Sequence, residues 1–340
     1  MQIYLNTYGT YLHIKDDMFE IRVPVKDAEP KKTHIAAHKL QSIVLSTSAA
    51  LSTDAVRLAL KNNIDIIFTQ SDGQPLGRIW HSKLGSTTKI RKRQLEVSLD
   101  KEGVKYTKTW IVEKMTNQLE FVKDLKKHRS QMADYLNDKV ERIENLIVSV
   151  GKLEGEKVND IAETIRGLEG TAGRLYFETL SYVMPEQYAF SGRSSRPAKD
   201  IYNGFLNYGY GVLYSRVEKC LILAGLDPYL GFLHRDDYNQ KSMVYDFIEP
   251  YRIFVETPIF RLFSAKKVNK SHIDEITNGI TLNKSGKELL INALNEYLES
   301  DTIRYRGRNQ TRANAMQQDA HTFANELMEK NIEPMEFLTM

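Results

Sequence analysis

A carboxylate at Glu169, an imidazole at His234 and two acids at Asp246 and Glu249 occupy three separate stretches of this 340-residue chain. Carboxylate oxygens combined with one imidazole nitrogen suit Mg²⁺ or Mn²⁺ better than a structural zinc ion. The chain has 8 His and 44 acidic residues, so most such trios arise by chance, and spacing alone does not decide the matter. The elements that carry these residues must be weighed with them.

Glu169 lies in Arg166-Gly-Leu-Glu-Gly-Thr-Ala-Gly-Arg174, a stretch that otherwise reads as helix. Ile161, Ile165, Leu168, Ala172, Leu175 and Thr179 mark its core-directed face. Glycines at 167, 170 and 173 cost such a helix roughly 1 kcal/mol each relative to alanine. Two readings account for that cost: close packing against another helix beside a solvated Glu169, or room for a metal ion or nucleic-acid strand to approach the carboxylate.

His234 ends the turn-rich segment Gly225-Leu-Asp-Pro-Tyr-Leu-Gly-Phe-Leu-His234, which follows a long apolar helix. Beyond it, residues 244, 247, 248, 251, 254 and 255 are apolar at helical spacing, so Asp246, Glu249 and Arg252 climb one flank. Pro250 removes the usual donor to the Asp246 carbonyl and predicts a bend between the two acids.

Positioning these groups requires two kinds of architecture. Up to about residue 80 the pattern is short and strand-like: 2–7, 11–14, 19–25, 42–45 and 64–69, rich in Ile, Val, Tyr and Phe. One helix interrupts it, started by Ser52-Thr53-Asp54, running over 55–62 and stopped at Asn63. After about Lys89 the period turns helical, giving helices over 91–98, 105–127, 130–150, 159–184, 201–224, 243–257, 287–298 and 311–330. The expected class is α+β: a mostly antiparallel β domain over 1–80, a linker at 81–90, an all-helical catalytic domain over 91–330, and a short tail at 331–340.

The charge is mild, +3 overall, but unevenly spread. Residues 77–94 hold Arg78, Lys83, Lys89, Arg91, Lys92 and Arg93 with no acid. Arg193, Arg196 and Lys199 form a second basic group, residues 261–270 a third, and residues 304–312 a fourth. Segregated positive surface suits phosphates, although any one group reads equally as a solvated face. The lone Cys220 excludes an internal disulfide and a cysteine-rich zinc site, and its apolar flank predicts a buried thiol. With no long apolar run and no charged leader at the start, the expectation is a soluble, cytoplasmic protein without membrane contact. No glycine-rich phosphate loop or Gly-x-Ser-x-Gly elbow is present.

Seven segments, taken in order, resemble the CRISPR-associated integrase family, the universal spacer-acquisition nuclease of CRISPR adaptation. They are Arg91-Lys-Arg-Gln94, Lys114-Met-Thr-Asn-Gln118, Gly167-Leu-Glu-Gly-Thr-Ala-Gly-Arg-Leu-Tyr-Phe177, Arg196-Pro-Ala-Lys-Asp200, Asn203-Gly-Phe-Leu-Asn-Tyr-Gly-Tyr-Gly-Val-Leu-Tyr214, Ala224-Gly-Leu-Asp-Pro-Tyr-Leu-Gly-Phe-Leu-His234 and Tyr245-Asp-Phe-Ile-Glu-Pro-Tyr-Arg252. The likeness is dense over 91–257 and a matter of pattern in the amino-terminal half. Ala198 replaces a frequent second proline, and Gly204 stands where alanine is usual.

The resemblance implies a homodimer formed through the β domain, and Glu169, His234 and Glu249 as catalytic ligands of one principal Mg²⁺ or Mn²⁺ ion. Asp246, Arg252 and Arg174 would support that site or face DNA. It further implies double-stranded and branched DNA, CRISPR repeat DNA and a small dimeric adaptation protein, joined in a heterohexamer, as partners. Expected DNA contacts are Arg91, Arg93, Arg193, Arg196, Lys199 and Tyr208. Tyr208, Tyr210 and Tyr214 have two readings, stacking on splayed DNA ends or core packing at helical spacing. The expected activity is metal-dependent insertion of short DNA fragments into a CRISPR array. The alternatives are a metal-dependent DNase or branched-DNA resolvase of repair, and a DNA-binding scaffold with a silent site.

Overall fold

The structure, a computed structural model, describes residues 2–40, 42–70, 75–79, 87–195, 197–234 and 240–328. Arg196, Lys83, most of the expected linker and the tail at 331–340 lie outside the described residues.

The amino-terminal half contains β1 (Gln2–Leu5), β2 (Thr10–Lys15), β3 (Met18–Val25), β4 (Ala28–Ala36), β5 (Ser42–Leu45), β6 (Ala49–Leu51), α1 (Thr53–Lys61), β7 (Asp65–Thr69) and β8 (Pro75–Ile79). They form two four-stranded sheets, ordered β1-β5-β7-β8 and β4-β3-β2-β6. Antiparallel pairing holds for β2–β3, β3–β4 and β7–β8, whereas β1–β5, β5–β7 and β2–β6 are parallel. Every residue of β5 is buried, as befits a central parallel strand. Leu12, Phe19, Ile43, Ile64 and Ile66 meet the inner face of α1 at Ala55 and Ala59. Ser52 caps α1 by accepting the Ala55 amide at 3.1 Å, and Asn63 takes a left-handed φ of 54° just beyond its end.

The second half contains α2 (Thr87–Ser98), α3 (Lys101–Lys127), α4 (Ala133–Gly151), α5 (Ala162–Val183), α6 (Ile201–Leu223), α7 (Ser242–Phe247), α8 (Ile253–Ser264), β9 (Ile273–Ile276), β10 (Gly279–Leu282), α9 (Lys284–Asn295), β11 (Thr302–Tyr305), β12 (Arg308–Thr311) and α10 (Arg312–Leu327). Helix α2 begins at Thr87, inside the segment expected as linker. The hairpins β9–β10 and β11–β12 occupy stretches to which the sequence reading gave no element. α6 is buried on all sides and forms the axis of the helical core. Its Gly209 lets α8 approach so closely that a Cβ there would lie 2.6 Å from Val255 Cγ1. Among the described residues no helix is long and apolar enough to cross a membrane.

The two halves meet along α6. Arg78 of β8 binds Asp65 of β7 through Nε and Nη2 at 3.1 and 2.6 Å, and its Nη1 lies 3.6 Å from Glu218 of α6. Burial pushes the Asp65 carboxyl up to about 6 even with this guanidinium beside it. One member of the first basic group is therefore spent on a structural joint.

Candidate metal and DNA site

The site is assembled by α3, α5, the loop after α6 and the junction of α7 with α8. Pro250 does interrupt that last element: α7 ends at Phe247, a 3-10 turn covers Glu249–Tyr251, and α8 follows. The turn lays its Pro250 carbonyl on Asn117 Nδ2 of α3 at 2.9 Å. Glu249 is thereby fixed in the interior, 3% exposed, beside α3.

Glu169 projects from α5, on which Ile165, Ala172, Leu175 and Thr179 of the expected face are buried and Leu168 is half-buried, joined in the core by Tyr176, Phe177, Leu180 and Val183. A Cβ added at Gly167, Gly170 or Gly173 would meet nothing within 4 Å. Close helix packing is thus not the reason for the glycines; the surface beside Glu169 is open.

His234 is reached through a loop organised by two buried polar side chains. Gln94 of α2, fully buried, donates to the Asp227 and Leu230 carbonyls at 2.9 and 2.8 Å and accepts the Asp227 amide at 2.9 Å. Asp246 of α7 accepts the backbone N–H groups of Phe232, Leu233 and His234 at 2.5, 3.0 and 3.2 Å, and pairs with His234 Nδ1 at 2.6 Å. A Cβ at Gly231 would lie 2.5 Å from Ser242 Cβ and 2.9 Å from Asp246 Oδ2, so only glycine lets the loop come this close. Arg166 adds a bond from α5 to the Leu233 carbonyl at 2.8 Å. Burial alone would lower the His234 pKa, but the hydrogen bond and charge of Asp246, with Glu249 behind, hold it above its ordinary value.

Lys114 of α3 joins the two glutamates. Its Nζ donates to Glu169 Oε1 and lies 2.5 Å from Glu249 Oε2. Arg252 takes the other side of Glu249, with Nε 2.9 Å from each oxygen and Nη2 2.7 Å from Oε1. Burial would raise the Glu249 carboxyl; Arg252 and Lys114 overcome it and hold the group down at about 2. Glu169 and Glu249 are therefore gathered around an ammonium group, with His234 alongside, and among the described residues no three His, Cys, Asp or Glu side chains stand at ready metal-ligand spacing.

The donor set nevertheless fits a hard divalent ion. Two carboxylates already converge on one cation, and with Nδ1 given to Asp246 the imidazole offers Nε2, the arrangement common for a histidine ligand. Lys114 and Arg252 balance Glu169 and Glu249, while Asp246 is paired with His234. A cleft of about 550 Å³ lined by Arg193, Tyr210, Tyr214 and Arg252 opens next to Glu249.

The other expected residues divide. Asp246, 3% exposed, is buried against His234 and its loop. Arg174 is exposed, pairs with Glu178 at 3.0 Å and touches none of the site carboxylates. Arg193 is exposed at the cleft, bonded to Asn203 and, at 2.9 Å, to Asn207, and stacked near Phe177 and Tyr210. Lys199 donates to the Asn278 carbonyl at 2.8 Å. Arg91 and Arg93 are paired with Asp227 and with Glu96 and Glu102, outside the site. Tyr208, 2% exposed, and Tyr210, 6% exposed, are core residues, so Tyr208 does not present a stacking face. Lys114 and Gln94 lie in motifs read from the sequence without a role being given to them. The available signal was a lysine on the buried face of α3, in line with Thr107, Ile111 and Gln118.

The sequence model of the family described as CRISPR associated protein Cas1 matches residues 3–296. The chain belongs to the Cas1 family. CRISPR-associated endonuclease Cas1 1 of Archaeoglobus fulgidus is 34% identical over 320 residues, 91% of either chain. Among solved structures, a casposase bound to integration product superposes with a TM-score of 0.82 at 21% identity, over 97% of this chain and 92% of that one. A Cas1 protein from Thermotoga maritima gives a TM-score of 0.78 at 18% identity, over 99% of this chain and 100% of that one. The β-then-helical architecture is thus that of Cas1 proteins, and the site described above lies in the part of the chain that the family model covers.

Proposed function

We propose that this Cas1 family chain is a metal-dependent DNA integrase that inserts short DNA fragments into a CRISPR array, with Glu169, His234 and Glu249 as the ligands of one Mg²⁺ or Mn²⁺ ion. The observation that carries this reading is the meeting of Glu169 and Glu249 at one cation beside a histidine oriented by Asp246. When bound, the ion supplies Lewis-acid stabilisation of charge on the phosphoryl and leaving oxygens. The chain's own residues do the rest. Asp246 keeps Nδ1 of His234 engaged, which leaves Nε2 as the nitrogen that would hold the ion, while Arg252 and Arg193 give phosphates a positive wall.

The reaction exchanges one phosphodiester for another: the 3′ hydroxyl oxygen of the fragment bonds to phosphorus at the repeat boundary as the bond to the flanking strand's 3′ oxygen breaks. No external energy source is required. Water in place of the hydroxyl gives slow cleavage. A homodimer formed through the β domain, assembled with a small dimeric adaptation protein, presents the two sites to the two fragment ends.

The test is strand transfer with a labelled short duplex and a supercoiled plasmid carrying a CRISPR repeat, with and without the small partner, in Mn²⁺ or EDTA, beside His234→Ala. Metal-dependent joining at repeat ends that the substitution abolishes supports the proposal. Nicking without joining favours the repair nuclease, and activity unchanged in His234→Ala removes the ligand assignment.

A further inference from the structure

The position of Lys114 deepens this reading and rests on it. Its side chain is 9% exposed on α3, and among the described residues it is the only cation that touches both Glu169 and Glu249. Arg252 binds Glu249 from a separate direction through three contacts and makes none with Glu169. Lys114 is thus the group that holds the α5 carboxylate and the α7–α8 carboxylate together.

We infer that Lys114 is a built-in counter-cation of the metal centre: its ammonium competes with the divalent ion for Glu169 and Glu249, sets the affinity for that ion, and turns aside when the ion binds. Carboxylate oxygens that coordinate a metal have their lone pairs directed at it, and the same oxygens now accept from Nζ. A divalent and a monovalent cation a few ångströms apart repel strongly where water is scarce. The ammonium also removes the main cost of bringing two carboxylates together in the interior.

The fold offers the displaced ammonium a new acceptor. Asn117 lies one turn further along the same helix, with Nδ2 committed to Pro250 and with a buried Oδ1 that has no hydrogen-bond partner among the described residues. Lys114 is accordingly a positioning residue: it orders the carboxylates for the ion and restrains the centre from holding that ion too tightly.

The experiment is an Mn²⁺ titration of the purified full chain without DNA, with free Mn²⁺ read by electron paramagnetic resonance. It compares wild type, Lys114→Met, Lys114→Arg and His234→Ala, each checked for folding by circular dichroism. Lys114→Met, which deletes the charge and keeps the stem, is expected to bind Mn²⁺ roughly tenfold more tightly, whereas Lys114→Arg stays within about threefold of wild type. Unchanged or weaker binding by Lys114→Met overturns the inference, because a purely structural lysine gives that result.

Absence of Mn²⁺ binding by wild type, or equal binding by His234→Ala, removes the metal reading and this inference with it. Loss in His234→Ala without tightening in Lys114→Met removes only the inference. Should Lys114→Met not fold, Lys114→Gln is titrated in its place: tighter Mn²⁺ binding than wild type supports displacement of the ammonium, and unchanged or weaker binding overturns it.

Discussion

Asp246 grips His234 twice: Oδ1 lies 2.6 Å from the ring Nδ1 and 3.2 Å from the backbone nitrogen of the same residue. Ring orientation and loop position are therefore one property. In Asp246→Asn an amide must replace the acceptor of the ring N–H, so Mn²⁺ affinity falls by roughly 10–100-fold, as for other supporting partners of a histidine ligand. A metal titration of the folded variant checks it; wild-type affinity would show that His234 needs no support.

Gly231→Ala acts on the same junction by sterics alone. The new Cβ meets Ser242 and Asp246 oxygen at under 3 Å, and the loop must retreat. A loss of about 1–3 kcal/mol in unfolding free energy is expected, in the range of overpacking substitutions, together with weaker Mn²⁺ binding. Urea denaturation gives the first quantity and metal titration the second.

The glycines beside Glu169 behave oppositely. Because nothing lies within 4 Å of a Cβ at Gly170, Gly170→Ala stabilises α5 by about 1 kcal/mol. Gly170→Leu folds equally well but obstructs the open face, lowering strand transfer at least roughly tenfold if DNA runs there. Thermal melts paired with joining assays separate the two effects. Full activity in Gly170→Leu would place the DNA elsewhere.

Arg193 stands at the cleft while Arg91 and Arg93 are engaged with acids. Arg193→Ala is expected to weaken DNA binding evenly across sequences and make the salt dependence of log affinity shallower by about one. Fluorescence anisotropy across a salt series measures the slope.

The interior also carries an acid–base signature in groups that touch none of Glu169, His234 and Glu249. Asp319 is 1% exposed, accepts from the Tyr251 hydroxyl at 2.8 Å and from the Tyr305 hydroxyl, and is pushed by burial up to about 6. Glu113 is pushed up to about 7 by burial and by Asp319. Both folded values lie above the unfolded ones, so the folded state holds the protons more tightly. Their contribution is full below about pH 4 and is lost as pH rises through 6 to 7, on the order of 2–3 kcal/mol for Asp319. Asp319→Asn flattens that part of the stability curve, measurable by urea denaturation at pH 4, 5.5 and 7.

The strands and helices were legible where periodicity and punctuation agreed, as in α1 with its Ser52 cap and Asn63 stop, or α5 with its buried stripe. The two hairpins were not, because Ile273–Ile276 and Arg308–Thr311 are polar and mostly exposed and offer no apolar alternation. The Asn278-Gly279 pair was the available cue. Pro250 announced the break between α7 and α8. The residues bringing the site together were harder to read: Lys114, Gln94 and Gly231 act through partners up to 136 positions away that only tertiary structure identifies. Basic clustering misled, since Arg78 and Arg312 are consumed within the fold, the latter stacked 3.7 Å from the Tyr297 ring centroid.

The order of Glu169, His234 and Glu249 along the chain also bears on synthesis. Glu169 leaves the ribosome first, 65 residues ahead of His234 and 80 ahead of Glu249, and Asp246, Arg252 and the Pro250 turn that seats against α3 come with the last of them. A nascent chain that has emerged as far as α6 holds Glu169 and Lys114 but lacks His234 and Glu249. On the proposed metal-dependent reading the site is incomplete until α7 and the Pro250 turn have been made, and a product truncated before α7 is expected to be inactive in strand transfer.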